Sequence, residues 1–245
     1  HPLEEAFGYQ ALVDAGNTRV KWALVRDGQW LARGALEHAD IGKLAQIATD
    51  HVDLRVTGTN VAGPRVAEAV AAALPSPPRW LRPRARCCGL TNRYDDPAQL
   101  GADRWAALIG ARAAYPGPLL VVSAGTATTV DLLSADGEFL GGLILPGEQL
   151  MRQSLARDTA RLPLADGQPQ EAPRSTDEAI VTGCLYAQAG AIERMFSRLA
   201  GQPDALCLLA GGNAARIAPL LSIPLRRIDN LVLRGLAVAA DDTRD

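Results

Sequence analysis

Histidine and cysteine are scarce in this chain, and neither follows a pattern typical of catalysis or metal binding. The three histidines, His1, His38 and His51, lie outside the motifs described below. This argues against a histidine general base, a Ser-His-Asp triad and a histidine-ligated metal site. The four cysteines have no C-x-x-C spacing and two of them are adjacent, so we interpret them as reduced packing residues. If the chain is an enzyme, a carboxylate must therefore carry the proton transfer.

The sequence also lacks long apolar runs and a large net charge. No stretch reaches the roughly 18 apolar residues of a membrane-spanning helix, and no basic-then-apolar secretory pattern begins the chain. We therefore expect a cytoplasmic protein that does not bind membranes. A net charge of -2 and a pI of about 6.0 give no electrostatic reason to expect nucleic-acid binding. The basic cluster at residues 79–86 is interpreted as a solvated loop and strand edge, with an anion-binding wall as the alternative.

The length of 245 residues fits one large domain or two domains of about 120 residues. The segment Tyr115-Pro116-Gly117-Pro118 is typical of a joint between domains. We therefore predict an N-terminal lobe over residues 10–117 and a C-terminal lobe over 118–245. The first nine residues, which do not begin with Met, are interpreted as an extension or an added remnant outside the fold.

Two short segments, one in each half of the chain, have the same layout. LVDAGNTRVK (12–21) and VVSAGTATTVD (121–131) each consist of an apolar strand, a turn of small residues and a second strand. Turns rich in Gly, Ser and Thr can direct backbone N–H groups and hydroxyls at phosphate oxygens. Gly16 and Gly125 are separated by slightly less than half of the chain. The pair predicts a duplicated domain that holds a nucleotide in the cleft between the two copies.

The alternative for either turn alone is that its polar residues satisfy their own backbone hydrogen bonds. Neither turn is a Walker P-loop, and no G-x-G-x-x-G follows a strand. Elsewhere the pattern predicts strands followed by helices, twice. Strand-glycine-helix segments at Gly58 and Gly211 form a second candidate pair, and the Pro-rich stretch 163–173 is one place for an insertion in the second copy. A helix is predicted over 41–50, and another from Asp96 to Ala114 with a break at Gly101.

Five segments taken together resemble the type III pantothenate kinase family. They are DAGNTRVK (14–21), NRYDDPAQLGADRW (92–105), GTATTVD (125–131), GGLILPG (141–147) and RSTDEAI (174–180). With the Gly211 segment, the resemblance spans residues 12 to about 213. It implies an α/β fold of duplicated ribonuclease H-like (actin-like) domains with mixed sheets. It also implies ATP-dependent phosphorylation of pantothenate to 4'-phosphopantothenate, the first step of coenzyme A biosynthesis.

The chemistry of the residues in the two turns fits that activity. Asp14 ends a strand, where its carboxylate can hold Mg²⁺ directly or through water. The predicted ATP- and phosphate-binding residues are Asp14, Gly16, Asn17, Thr18, Lys21, Gly125, Thr126, Thr128, Gly211 and Gly212. Lys21 could instead be an exposed strand lysine, Thr128 could serve only the strand, and the two glycines at 211–212 could be helix caps. The contact of Thr126 with the nucleotide is implied by the resemblance.

Asp103 is the candidate catalytic residue. Its position in the first turn of a helix favours the ionised form, and the resemblance implies that it takes the proton from the primary hydroxyl of pantothenate. A residue that only stabilises the helix dipole is the alternative. Arg104 offers a two-pronged clamp for the pantothenate carboxylate, with a simple salt bridge as the alternative. With the contacts implied by the resemblance, the predicted substrate-binding set is Tyr94, Gly101, Ala102, Asp103, Arg104 and Thr176; Thr176 could also cap its helix.

One position departs from the family pattern. Many members carry Asp two residues before the glycine of G-T-x-T-T, where it helps to hold a monovalent cation, and this chain has Ser123. The resemblance implies a need for ammonium or potassium, but the departure leaves its ligands unassigned. It also implies a homodimer.

Two other functions remain as alternatives. One is another small-acid or sugar kinase of the actin-like fold, although the acidic acceptor suggested by Arg104 favours pantothenate. The other is a nucleotide-binding regulatory protein, an accessory factor for gene expression. The presence of Asp14, Asp103 and Arg104 favours catalysis over this second alternative.

Overall fold

The computed structural model describes residues 8–48 and 53–242. These described residues divide into two compact units, one formed by those up to residue 114 and from residue 231 onward, and the other by residues 115–230. Residues 1–7, which include His1 and most of the predicted extension, lie outside the described residues, as does His51.

Strands and helices both occur throughout the described residues. In chain order the strands are β1 Gln10–Ala15, β2 Arg19–Arg26, β3 Gln29–Glu37, β4 Arg55–Asn60, β5 Arg79–Trp80, β6 Arg86–Cys87, β7 Leu90–Asn92, β8 Leu119–Ala124, β9 Ala127–Leu133, β10 Glu138–Pro146, β11 Leu206–Ala210 and β12 Leu225–Arg227. The helices are α1 Ala45–Ala48, α2 Pro64–Ala73, α3 Ala102–Ala114, α4 Glu148–Asp158, α5 Thr176–Phe196, α6 Ala214–Ile217 and α7 Leu231–Asp241. Short 3-10 helices occur at His38–Leu44, Pro97–Gln99, Ser197–Leu199 and Ala218–Leu220.

The first unit contains a sheet with the order β3-β2-β1-β4-β5. β1 is antiparallel to β2 and parallel to β4. As in any strand, its successive side chains point to opposite faces of the sheet. Val13 and its alternate neighbours contribute to a core with α2 and the His38–Leu44 turn. Leu12, on the opposite face, packs in a second core that includes residues of α3 and α7. Residues 11–13 of the strand are therefore all apolar, as expected where a strand is buried on both faces.

α3 and α7 cross closely in the first unit. A Cβ atom added to Gly235 of α7 would lie 1.7 Å from the carbonyl oxygen of Ala106 of α3, so only glycine fits at this crossing. The lobe bounds predicted from the sequence, 10–117 and 118–245, stay a prediction. Those bounds assign α7 to the C-terminal lobe, whereas in the structure α7 packs against α3 in the first unit.

The second unit repeats the same strand order, β10-β9-β8-β11-β12. β8 is antiparallel to β9, β9 is antiparallel to β10, and β8 and β12 both run parallel to β11. Each of these strands therefore has an equivalent in the first unit, which confirms the predicted α/β duplication. α5 packs its buried residues onto this sheet. Residues 163–173 contain neither helix nor strand.

Two segments that the sequence predicts as helices each consist of a 3-10 turn and a separate α-helix. The segment from Asp96 begins as the Pro97–Gln99 3-10 turn, and α3 starts only after Gly101, which confirms the predicted break. The helix predicted over 41–50 is a 3-10 turn followed by the short α1, and residues 49–50 lie outside the described residues. Gly42 in this turn has low helix propensity, consistent with the tighter geometry.

Candidate active site

The first glycine turn is fixed by hydrogen bonds on both sides of Gly16. The Gly16 N–H donates to the carbonyl of Arg19 at 3.0 Å, and Nε2 of His38 lies 2.8 Å from the carbonyl oxygen of Gly16. Because a carbonyl only accepts, this contact requires a proton on Nε2. Asn17 and Thr18 are exposed at the tip of the turn. Sequence reasoning placed His38 outside the motifs, since it is close to the turn only in the folded sheet.

Asp14 stands beside this turn at the end of β1. It pairs across the sheet with Lys21 on one side and Thr59 on the other, and the Thr59 hydroxyl donates to Asp14 Oδ1 at 3.4 Å. Burial and, as the second cause, the charge of Asp103 together raise the pKa of Asp14 to about 6, against the opposing effects of Lys21 and Thr59. Asp14 and Asp103, which are distant in sequence, thus interact electrostatically in the fold. A pair of neighbouring carboxylates of this kind favours a cation.

The start of α3 positions Asp103 and requires a glycine before it. A Cβ atom on Gly101 would lie 2.8 Å from Asp103 Oδ1, so a side chain at 101 would displace the carboxylate. Asp103 lies in the first helical turn and is half-buried, and its Oδ1 accepts a hydrogen bond from the backbone N–H of Arg104 at 2.9 Å. Ala102 is the first residue of this helix. The charge of Asp103 is therefore held at the positive end of the helix dipole.

Arg104 and Tyr94, both predicted substrate contacts, lie against each other. Arg104 is only 5% exposed, its Nη1 donates to Tyr94 Oη at 2.9 Å, and its guanidinium lies 5.6 Å from the centre of the Tyr94 ring. Tyr94 is positioned in turn by Asn92, whose side chain accepts from the Tyr94 N–H and donates to the Pro97 carbonyl. A buried guanidinium, fixed by Tyr94, thus directly follows Asp103 at the start of α3.

The second glycine turn resembles the first in its backbone hydrogen bonding. The Gly125 N–H donates to the carbonyl of Ala127 at 3.1 Å, and the Thr126 carbonyl accepts from the Gly147 N–H at 2.9 Å. Gly125 and Thr126 are exposed. A Cβ atom on Gly147 would lie 2.3 Å from the Gly125 carbonyl oxygen, so Gly147 permits the close approach of the β10–α4 connection to the turn.

Thr128 occupies a different environment from Thr126. It is 1% exposed, and its hydroxyl donates to the side-chain oxygen of Gln188, a fully buried residue of α5. Gln188 continues this link by donating to the Pro146 carbonyl at 2.8 Å. The predicted phosphate contact of Thr128 stays a prediction, and in this structure its hydroxyl connects β9 to α5.

The glycine pair at 211–212 directly precedes a residue that is hydrogen-bonded to a buried acidic side chain, Glu148, which the sequence did not single out. Gly211 has φ +103° and packs against Ala124, while Gly212 is exposed. The next residue, Asn213, donates to Glu148 Oε2 at 2.8 Å. Arg216 also binds Glu148, with contacts of 2.7 to 3.0 Å. Although burial opposes it, these hydrogen bonds hold the pKa of Glu148 below its ordinary value.

Thr176 belongs to the second unit, where it is the first residue of α5. Ser175, not Thr176, is the N-cap residue: its side chain accepts from the Glu178 N–H. The alternative of Thr176 as the cap is therefore wrong. Thr176 lines a cavity of about 500 Å³ together with apolar residues of α4 and α5 that include Met151, Leu155 and Ile180.

Ser123, the departure from the family pattern, is half-buried in β8 opposite Thr129 of β9. No helix among residues 8–48 and 53–242 is both long and apolar enough to cross a membrane.

The duplicated sheets place the chain in the class of actin-like ATPase and sugar kinase folds, and solved structures support this. A Campylobacter jejuni protein described as a Baf family transcriptional activator matches with a TM-score of 0.63 and 21% identity, over 93% of this chain and 95% of that one. A Sinorhizobium meliloti protein assigned as a 2-dehydro-3-deoxygalactonokinase matches with a TM-score of 0.61 and 18% identity, over 95% and 98%. At these identities the likeness establishes the fold alone.

Sequence comparison is more specific. The type III pantothenate kinase family model matches residues 11–198. A relative from Aromatoleum aromaticum named type III pantothenate kinase is 59% identical over 233 residues, which cover 94% of this chain and 96% of the relative. The chain belongs to the type III pantothenate kinase family.

Proposed function

We propose that this protein phosphorylates the primary hydroxyl of pantothenate with ATP, forming 4'-phosphopantothenate for coenzyme A biosynthesis. The single observation that carries the proposal is the group formed by Asp14, Asp103, Arg104 and Tyr94 in a chain of this family. Phosphoryl transfer depends mainly on positioning and on neutralising charge. This group contains a carboxylate to accept a proton, a second carboxylate to attract a cation, and a guanidinium to orient an acidic substrate.

Asp103 acts in this proposal as the general base. Its carboxylate, at the amino-terminal end of α3, accepts the hydroxyl proton as the substrate oxygen attacks the γ-phosphorus. Arg104, held by Tyr94, binds the pantothenate carboxylate and so orients the hydroxyl toward Asp103. Gly101 and Ala102 allow the substrate to approach the helix start, and Thr176 provides a further contact.

The two glycine turns bind the phosphates of ATP in this proposal. The first contributes Gly16, Asn17 and Thr18 with the nearby charge of Lys21; the second contributes Gly125 and Thr126. The glycines at 211–212 bind on the adenosine side. Thr128 contributes indirectly, because its bond to Gln188 holds β9 and the turn that precedes it.

A magnesium ion fits the residues present. The pKa of Asp14 is raised by burial and by the neighbouring Asp103 charge, which is the electrostatic situation that a bound cation relieves. Asp14 would hold Mg²⁺ directly or through water, and the ion would neutralise phosphate charge. We further propose a requirement for ammonium or potassium. Ser123 offers only a neutral hydroxyl where many relatives have Asp, so the ligands of that cation are not assigned.

The remaining parts of the proposal are assembly and location. We propose a homodimer that works in the cytoplasm, where the reduced cysteines of the chain are stable. The regulatory alternative has one point in its favour, the fold likeness to a protein described as a transcriptional activator. The group of charged residues around Asp103 favours catalysis instead.

The decisive experiment is a measurement of pantothenate-dependent ADP release with Mg-ATP, for the wild type, Asp103→Asn and the control Asp136→Asn. Asp136 is exposed in a turn of the second unit and carries the same charge. We expect Asp103→Asn to retain nucleotide binding and to lower turnover by about 10²–10⁴-fold, and the control to be unaffected. Near-normal turnover of Asp103→Asn would remove it from the mechanism. No ADP release by the wild type in potassium, ammonium or sodium buffer would reject the kinase activity with this acceptor.

A further inference from the structure

The first unit contains a second cluster of side chains that can bind a metal ion, formed by Cys87, Cys88 and Asp242. Cys87 ends β6, Cys88 begins the two-residue turn to β7, and Asp242 directly follows α7. Two sulfur atoms and one carboxylate oxygen of these residues lie within 4.8 Å of one another. We propose that the three residues bind a soft divalent metal ion of the Zn²⁺ type.

The backbone of the turn brings the two sulfurs together. Successive side chains of a strand point to opposite faces, so adjacent cysteines in regular β-structure would be unable to share an ion. Cys88 has φ +55°, in the left-handed region that residues other than glycine rarely adopt. The two Sγ atoms consequently lie 2.8 Å apart on the same side of the hairpin. Two zinc-bound thiolates at the tetrahedral angle are roughly 3.8 Å apart. A side-chain rotation that moves one sulfur by about 1 Å therefore admits the ion.

The charges around the cluster balance once an ion is bound. Two thiolates and one carboxylate carry three negative charges, and a divalent cation leaves one. Arg84 places its Nη2 3.8 Å from the Cys87 sulfur, so its positive charge offsets the remaining negative charge. Sulfur ligands select Zn²⁺ over Mg²⁺, which prefers oxygen. The cluster is therefore chemically distinct from the Asp14 group.

A disulfide between the two cysteines is the competing use of the same atoms. Consecutive Cα atoms across a trans peptide are about 3.8 Å apart, whereas disulfide-bonded residues usually have Cα atoms about 4.4–6.8 Å apart. Adjacent cysteines therefore lie closer together than a disulfide usually requires. A shared metal ion does not need a bond between the two sulfurs, because each sulfur binds the ion. Asp242 also has a role in the metal site and none in a disulfide.

The expected consequence is a connection between two elements of the first unit. The ion would join the β6–β7 hairpin to the end of α7, the helix that crosses α3 at Gly235. Since metal binds the folded arrangement and not the separated residues, occupancy is expected to raise the melting temperature.

The test uses the full, reduced and chelator-treated protein titrated with Co²⁺ as a spectroscopic substitute for Zn²⁺. Thiolate ligation gives a sulfur-to-cobalt charge-transfer band in the near ultraviolet, which an ion on carboxylates alone does not produce. We expect one equivalent of Co²⁺ to develop the band and one equivalent of Zn²⁺ to remove it. The variants are Cys88→Ser and Asp242→Asn, with Cys184→Ser and Asp241→Asn as controls of the same residue types.

The band is expected to be lost in Cys88→Ser, to be formed at least tenfold more weakly in Asp242→Asn, and to be unchanged in both controls. Circular dichroism of the variants checks that each is folded. The proposal is overturned if the reduced wild type develops no thiolate band, or if the band persists in Cys88→Ser. It is overturned equally if thiol counting shows that Cys87 and Cys88 form a disulfide that persists under the reducing conditions used.

Discussion

Replacing Asp14 with asparagine should abolish kinase activity and at the same time stabilise the metal-free protein. Folding raises the pKa of this carboxyl from 3.8 to about 6, through burial and the neighbouring charge of Asp103. Between these two values the folded state binds a proton more tightly than the unfolded state does. The contribution of Asp14 to the free energy of unfolding therefore falls as the pH rises through this window.

The size of the effect follows from the shift. A difference of about two pKa units corresponds to about 3 kcal/mol at pH 7, where the unfolded chain holds Asp14 ionised at no cost. Near pH 4 the unfolded carboxyl is itself partly protonated, and the destabilisation of the folded state by Asp14 falls below about 1 kcal/mol. Asparagine carries no charge at either pH. The gain in stability of Asp14→Asn should therefore be large at pH 7 and nearly lost at pH 4.

The assay is urea unfolding with chelator present, for the wild type, Asp14→Asn and Asp136→Asn, at a series of pH values between 4 and 7. Two spectroscopic probes are needed because the chain has two units and a single transition cannot be assumed. The exposed control should show no such pH-dependent gain. A stability difference for Asp14→Asn that does not grow from pH 4 to pH 7 would refute the argument that burial and Asp103 raise this pKa.

Three further substitutions test separate parts of the site. Arg104→Ala removes the charge-assisted clamp and should raise the Michaelis constant for pantothenate by roughly 10–100-fold and that for ATP by much less; equal changes in both would contradict the clamp. His38→Ala removes the hydrogen bond to the Gly16 carbonyl and should raise the Michaelis constant for ATP by roughly 2–10-fold, with pantothenate unaffected. Gly235→Ala places a Cβ atom 1.7 Å from a carbonyl oxygen of α3 and should cost at least about 1–3 kcal/mol in urea unfolding. Gly190→Ala, where the added Cβ meets nothing within 4 Å, is its control.

Local sequence patterns were sufficient to predict much of this protein. The repeated strand-turn-strand pattern around Gly16 and Gly125 predicted the duplication, because hairpins depend on neighbouring residues and on turn chemistry. The break before α3 followed from the Pro and Gly residues between Asp96 and Gly101. Family membership followed from the order and spacing of five motifs.

Contacts between distant segments were decided only by the tertiary structure. His38 and Thr59 reach the first turn and Asp14 because β3 and β4 lie in the same sheet as β1. Glu148 binds Asn213 because the β10–α4 connection returns to the end of β11. Such pairings depend on how strands are ordered in a sheet, and no local pattern encodes that order.

The cysteines illustrate the same division. The sequence determined that Cys87 and Cys88 are adjacent, and on that basis they were interpreted as packing residues. Only the fold brings Asp242 to them, and only the left-handed backbone at Cys88 turns both sulfurs to one side. The side-chain chemistry was thus present in the sequence, while the distances that allow it to act together came from the folding of the chain.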